Sequence, residues 1–234
     1  MPRSKEQNEE IRQQRKEAIL TGALQIYAER GYAAADIGDV AERAGVARGL
    51  VYYYFKDKQT LFRELFVYMF NLSEERRKAH FERDGAVLEL IESFIAAMYD
   101  GLLEHPEYAL FFMRMRHDVH ALFTEEELKD LRWHDDHLRP VVEALERGMR
   151  EGTVRRMNVE LLTAQFWAAA IHGLAHSQKR AQAMKAEGMP KEAIAAALRP
   201  DLRDALAVCM DIIVAERRQT PVSEQSEGSG VDRA

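Results

Sequence analysis

Between Asp36 and Phe55 the apolar residues form two short runs broken by a glycine. Ile37, Val40, Ala41 and Ala44 fall at i, i+3, i+4 and i+7, Gly45 follows, and Val51 and Phe55 then stand four residues apart. These spacings place apolar side chains on one face of a helix. Asp36 is suited to start the first helix and Gly45 to stop it. Each helix has barely two turns, and helices that short are marginal in water by themselves. Both must therefore lean on a longer neighbour. The segment from about Asn8 to Arg30 offers one, with Ile19, Leu20, Ala23, Leu24, Tyr27 and Ala28 in a single stripe and Gly31 placed to cap its end.

The same period continues through the chain. Asp57 is placed to cap a long helix with Leu61, Phe62, Leu65, Phe66, Met69 and Phe70 facing inward, running to about Arg83. Further helices are expected over about 86–104, 107–122, 125–151 (with Pro140 as a kink), 159–186, 191–198 before Pro200, and 201–217. No stretch alternates apolar and polar residues for long, and only 6 Pro and 13 Gly occur in 234 residues, so the fold class is all-α. Cys209 is the sole cysteine, which excludes an internal disulfide and a cysteine-rich metal site and suits a reducing, cytoplasmic setting. No window approaches the length of apolar run that spans a bilayer, and no membrane partner is expected. From Gln219 the chain is polar and rich in Ser and Gly, which predicts a disordered tail over 218–234.

The net charge of −6 is unevenly spread. Residues 1–60 carry 10 Lys/Arg against 9 Asp/Glu, while residues 61–234 carry 23 against 30. A small polyanion-binding part joined to a larger acidic part fits this asymmetry. Two short helices around a glycine turn, packed on a longer first helix, have the layout of a helix-turn-helix, whose second helix enters the DNA major groove.

The residues GYAAADIGDVAERAGVARGLVYYYFKDKQTLF closely resemble the DNA-binding region of the tetracycline-repressor (TetR) family of bacterial regulators. The resemblance covers about residues 12–66 and rests on Gly31-Tyr32, Asp39-Val40-Ala41, Ala44-Gly45-Val46, Gly49, Tyr52, Phe55, Lys58 and Leu61. It implies a basic arm over 1–11, a DNA-binding domain over 12–72 with its motif at about 35–54, and a long fourth helix leading into a ligand-binding and dimerisation domain over 73–217. It also implies that Arg48, Gly49 and Leu50 face base edges. Arg48 has the bidentate geometry for guanine, Gly49 lets backbone approach closely, and Leu50 suits a thymine methyl. Of Tyr52, Tyr53 and Tyr54, at least one must point outward, because three successive residues cannot share one helix face. In the family pattern Tyr52, Tyr54 and Lys58 contact the DNA backbone. Two departures stand out: Ala35-Asp36 replaces a hydroxyl pair, leaving Asp36 to cap, and Ala47 replaces a serine, which removes a cap and a phosphate donor. Arg3, Lys5, Arg12, Arg15 and Lys16 are then candidates for compensating phosphate contacts.

For the C-terminal part only size and helical character match the family. The resemblance implies an effector cavity, for which the large adaptable side chains Phe94, Met98, Tyr99, Leu102, Phe112, Met115, Trp133, His134, Phe166, Trp167 and His172 are candidates. The same residues equally suit an ordinary helical core. The implied homodimer uses the last long helices, with Ala169, Gly173, Leu202, Leu206, Cys209 and Ile213 as candidate contacts; an intrachain core is the alternative use of that stripe. Six histidines form helical pairs, His117 with His120, His134 with His137, and His172 with His176. They suit a polar surface, an effector contact, or a metal held with Asp118, Asp135 or Asp136 in a metal-responsive variant. No cofactor and no enzyme motif is expected. The function expected is that of a transcriptional repressor released from a palindromic operator by a small apolar or aromatic effector, with the region Pro106–Phe123 moving the fourth helix; DNA binding without an effector is the alternative.

Overall fold

The computed structural model describes residues 5–130 and 138–215, and among them no strand occurs beyond one isolated bridge between Val154 and Val214. Ten helices are described: α1 (Lys5–Ala34), α2 (Ile37–Arg43), α3 (Arg48–Tyr54), α4 (Lys58–Phe81), α5 (Val87–Glu104), α6 (Pro106–Leu122), α7 (Glu125–Asp130), α8 (Arg139–Glu151), α9 (Val159–Ala186) and α10 (Lys191–Ile213). The caps are those that the sequence supplies. Asp36 accepts from the Gly38 N–H at 2.6 Å to open α2, and Asp57 accepts from the Thr60 N–H at 2.7 Å to open α4. Ala47 gives α3 no side-chain cap. Gly31, at φ 74°, breaks the helical path inside α1 and turns the chain toward α2.

Two cores hold the helices. The first gathers Ile19, Tyr27, Val40, Val51, Phe55, Phe62 and Phe66 from α1–α4 with Phe111, Met115, Val119 and Leu122 of α6, Phe123, and Leu128 of α7. Each such large side chain withdrawn from water contributes about 1.5–3 kcal/mol. This explains how α2 and α3, short as they are, stay folded. The second core gathers Ile91, Ile95 and Tyr99 of α5 with Val141 and Leu145 of α8, Leu162, Phe166 and Leu174 of α9, and Leu198, Leu202, Cys209 and Ile213 of α10. α4 runs between them, with Leu61 to Met69 in the first core and Phe81 packed on the second. A division of the chain at residue 72 therefore does not divide the core, because α6 and α7 belong with the N-terminal helices.

Two expected elements differ. The helix expected over 125–151 with a kink at Pro140 is α7 and α8, and Pro140 sits in the first turn of α8, where its missing N–H costs nothing. The expected break at Pro200 is absent, since α10 continues through it. Ala196, Ala197, Arg199 and Pro200 are exposed, so the carbonyl that loses its partner faces water, while buried Leu198 and Leu202 hold both halves on one face. The expected disordered tail at 218–234 lies outside the described residues.

Candidate nucleic-acid interface and effector core

The outer face of α3 is polar, aromatic and unobstructed. Arg48 and Gly49 are exposed, Leu50 is half-buried, and Tyr52 and Tyr53 are 44% and 75% exposed. One turn apart, Arg48 Nη2 lies 3.4 Å from the Tyr52 hydroxyl, and its guanidinium sits 5.8 Å from the ring centroid. This holds the guanidinium upright on the helix. A methyl group built on Gly49 would meet nothing within 4 Å, so nothing inside the protein demands glycine there. Tyr54 packs half-buried against the first core, with its ring 5.3 Å from Tyr53. Helix geometry thus splits the three tyrosines into two facing out and one facing in.

Lys58 and Asp36 are already engaged. Lys58 Nζ donates to the Ala33 carbonyl at 3.0 Å and lies 4.7 Å from the Tyr32 ring centroid, so it fastens the junction between α1 and α2. The Asp36 carboxylate is committed to its cap. Of the basic residues on the first helix, Lys16 pairs with Glu64 at 2.6 Å and Arg12, largely exposed, lies 3.9 Å from Glu9; Arg3 lies outside the described residues.

Local spacing gave no sign of what orients the motif. Arg43 reaches back to Glu29 with two hydrogen bonds, 2.9 and 3.0 Å, and Arg30 pairs with Asp39. These ties cross 14 and 9 residues of chain. The Arg43 partner holds the Glu29 carboxyl below its ordinary pKa. Gly22 lets the two helices close, since a side chain there would meet the Val40 carbonyl at 3.0 Å.

From the other side α6 grips the same junction. The Tyr32 N–H donates to Asp118 Oδ2 at 3.3 Å, and Arg114 Nη2 donates to the Glu29 carbonyl at 3.4 Å. Phe111 packs its ring 5.2 Å from Tyr27 and 4.9 Å from Phe66. The expectation that α6 acts on α4 is therefore incomplete, because α6 touches α1 at the bend itself. Arg63 makes the α4 connection, donating to the Leu122 carbonyl at 2.8 Å and pairing with Glu127.

Residues 19–65 match the profile of bacterial regulatory proteins of the tetR family. That segment is similar to the DNA-binding part of tetR-family regulators. The HTH-type transcriptional regulator AcrR of Shigella flexneri is 38% identical over 63 residues, which is 27% of this chain and 27% of AcrR. The HTH-type transcriptional repressor AcnR of Corynebacterium diphtheriae is 28% identical over 144 residues, 61% of this chain and 68% of AcnR. Against the first curated relatives the match spans well under half of their length, 27%, 35% and 41%. The structure of the transcriptional regulator FadR from Bacillus subtilis, solved with stearoyl-CoA, superposes with a TM-score of 0.61 at 19% identity, covering 84% of this chain and 98% of that one. The TetR-family fold therefore extends well beyond the 19–65 segment.

The candidate effector residues of this chain do not gather in one place. Tyr99, Leu102 and Phe166 are buried in the second core, with Phe94 and Met98 packed against it. Tyr99 spends its hydroxyl on the Ala170 carbonyl at 3.2 Å. Trp167, half-buried, stacks on Phe94 with centroids 6.5 Å apart. Met115 and Phe112 belong to the other core, because the apolar stripe of α6 faces α1 and α4. His172 is exposed, and Trp133 and His134 lie outside the described residues. An open cleft of about 440 Å³ lies elsewhere, between the C-terminal half of α4 and α8, bordered by Glu74, Lys78, Phe81, Pro140, Ala144 and Arg147 among others.

Four of the candidate dimer contacts pack within the single chain. Leu202, Cys209 and Ile213 are buried within the single chain, and a side chain at Gly173 would meet Ala205 at 2.8 Å and the Tyr99 hydroxyl at 2.7 Å. These residues build the contact between α9 and α10 inside one protomer. Ala169 and Leu206 are half-buried on the same core. The outward faces of these helices carry Leu161, 51% exposed, and Val208, 55% exposed. His117, His120, His172 and His176 are exposed, and no three His, Cys, Asp or Glu converge on a metal position among the described residues. Among those residues no helix is long and apolar enough to cross a membrane.

Proposed function

We propose that the chain is a homodimeric transcriptional repressor that binds a near-palindromic operator through α3 and is released by a small, largely apolar effector. The observation that carries the DNA-binding half is the face formed by Arg48, Gly49 and Tyr52, exposed and prepositioned on a helix whose inner side is fixed by Val51 and Phe55. Arg48 reads guanine O6 and N7, Tyr52 and Tyr53 donate to phosphates, and the uncapped N-terminus of α3 lies against the DNA backbone. Lys58 secures the α1–α2 junction and adds charge beside it.

The effector half rests on α6. One face of α6 lies in the first core and its Asp118 and Arg114 hold the bend at Gly31–Tyr32, so a shift of α6 moves the motif directly. AcnR is named a repressor and FadR was solved with an acyl-CoA, which supports a repressor that answers to an apolar ligand. Two copies joined through the outer faces of α9 and α10, with Leu161 and Val208 at the contact, place two reading heads for half-sites about 34–36 Å apart. By linkage, effector and operator weaken each other by the same factor.

Selection of bound fragments from random duplex DNA followed by footprinting tests this reading. The expected result is discrete protection of a palindrome by a dimer. Uniform coating of all sequences, or no protection, overturns it.

A further inference from the structure

The two oxygens of Asp36 have different surroundings. Oδ1 accepts the Gly38 N–H at 2.6 Å and so caps α2, while Oδ2 has no partner among the described residues. The residue is exposed. It also acts on the reading helix through space, because the Arg48 guanidinium is held above its ordinary pKa first by Tyr52 and then by the field of Asp36. A full negative charge therefore stands beside Arg48 on the open side of the motif.

In a helix-turn-helix the second helix enters the major groove while the first crosses the sugar-phosphate backbone. A carboxylate at the leading end of that first helix meets phosphate as a like charge, and the repulsion grows as DNA displaces the water between them. Neighbouring cations do little to offset it. Arg43 is spent on Glu29 at 2.9 and 3.0 Å, Arg30 on Asp39, and Lys58 on the Ala33 carbonyl at 3.0 Å. Of the cations from Arg43 to Lys58, that leaves Arg48 and Lys56 exposed and outside any ion pair among the described residues. Arg48 is the one of these two that stands on α3, where base edges are read.

We propose that Asp36 limits the DNA affinity of this motif: its free oxygen repels the phosphate nearest the start of α2, so that binding leans on base contacts more than on the backbone. This deepens the operator-binding reading above and rests on it. Non-specific binding is almost wholly electrostatic, so a motif with few free cations and a fixed anion gains little from random DNA. One side chain thus does two jobs, with one oxygen for the cap and the other for the repulsion.

The test uses the full chain, with fluorescence anisotropy on a selected operator fragment and on a random duplex over a salt series. Asp36→Asn keeps a capping oxygen and removes the charge, and Asp36→Ser does the same with a shorter side chain. Both are expected to melt near wild type and to bind the random duplex at least about threefold more tightly at low salt. The operator gains as well, and the salt slope steepens by up to about one as a further phosphate is admitted. Glu89→Gln removes the same charge from an exposed position on α5, whose helix packs in the second core, and should leave DNA binding unchanged. Random-duplex affinity at or below wild type in both Asp36 variants overturns the proposal. An equal gain in Glu89→Gln also overturns it, by making the effect one of net charge. So does relaxed discrimination at one base pair with no gain on random DNA, which would make Asp36 a reader of bases. Operator protection by wild type is measured in parallel. Its absence refutes the sequence-specific reading, whereas discrete protection with no gain in the Asp36 variants refutes only the role of Asp36.

Discussion

The backbone N–H of Tyr32 donates to the carboxylate of Asp118 at 3.3 Å, across 86 residues of chain. It joins the turn that precedes the helix-turn-helix to the middle of α6. Gly31, next to it, adopts φ 74° and would crowd Arg114 at 3.2 Å if it carried a side chain, so the bend and α6 fit one another closely.

Asp118→Ala removes this acceptor and leaves a partly buried N–H unpaired. A stability loss of roughly 1 kcal/mol is expected, seen as a melting temperature lower by about 2–4 °C. Operator affinity should fall too, although Asp118 touches no DNA, because the junction is no longer held in one geometry. Unchanged operator affinity would sever the proposed α6–α1 connection.

Gly49→Ala separates folding from DNA binding. The added methyl meets no protein atom, and alanine favours helix by up to about 1 kcal/mol, so the melting temperature should hold or rise. Operator affinity should drop by roughly tenfold, or about 1.4 kcal/mol, if backbone and base edges meet there. Operator affinity equal to wild type removes Gly49 from the interface.

Arg48→Ala and Lys58→Ala should differ in kind. Losing Arg48 costs roughly 1–3 kcal/mol and relaxes discrimination at one base position. Losing Lys58 weakens operator and random DNA alike, lowers the salt slope by about one, and also lowers the melting temperature because its bond to the Ala33 carbonyl goes. Fluorescence anisotropy over a salt series distinguishes the two.

Gly173→Ala places a methyl where Tyr99 and Ala205 already stand. Overpacking of this kind costs typically about 1–3 kcal/mol, and thermal melting of the variant measures it. No loss of stability would mean that α9 and α10 yield at this crossing.

The Glu127 carboxyl is held down to about 2, first by Arg63 and then by the Thr124 N–H. Its folded value lies below its unfolded value of about 4.3, so the stabilisation is complete above the unfolded value and is lost as pH falls toward the folded one. Melting of wild type and Glu127→Gln should therefore differ at pH ~7 and converge between pH ~5 and ~2. A constant difference across that range would count against the Arg63–Glu127 connection.

The sequence by itself determined the helices and their inner faces. Asp36, Gly45, Val51, Phe55 and Asp57 fixed the motif through caps and spacing, which act within a few residues. It also exposed Arg48 and Gly49 for inspection, because a recognition helix is legible from residue types at fixed offsets. Only the tertiary structure decided which faces meet. The apolar stripe of Phe111, Met115, Val119 and Leu122 reads the same whether it packs on α1 or on α5, and it packs on α1 and α4. The stripe of Leu202, Cys209 and Ile213 suits a dimer seam as well as an inner core, and the approach of α10 to α9 at Gly173 uses it inside one chain. Arg77 reads as one more charge on a charged helix until burial isolates it. Periodicity states that a face is apolar, but partners are chosen by packing between segments distant in sequence, where local spacing carries no information.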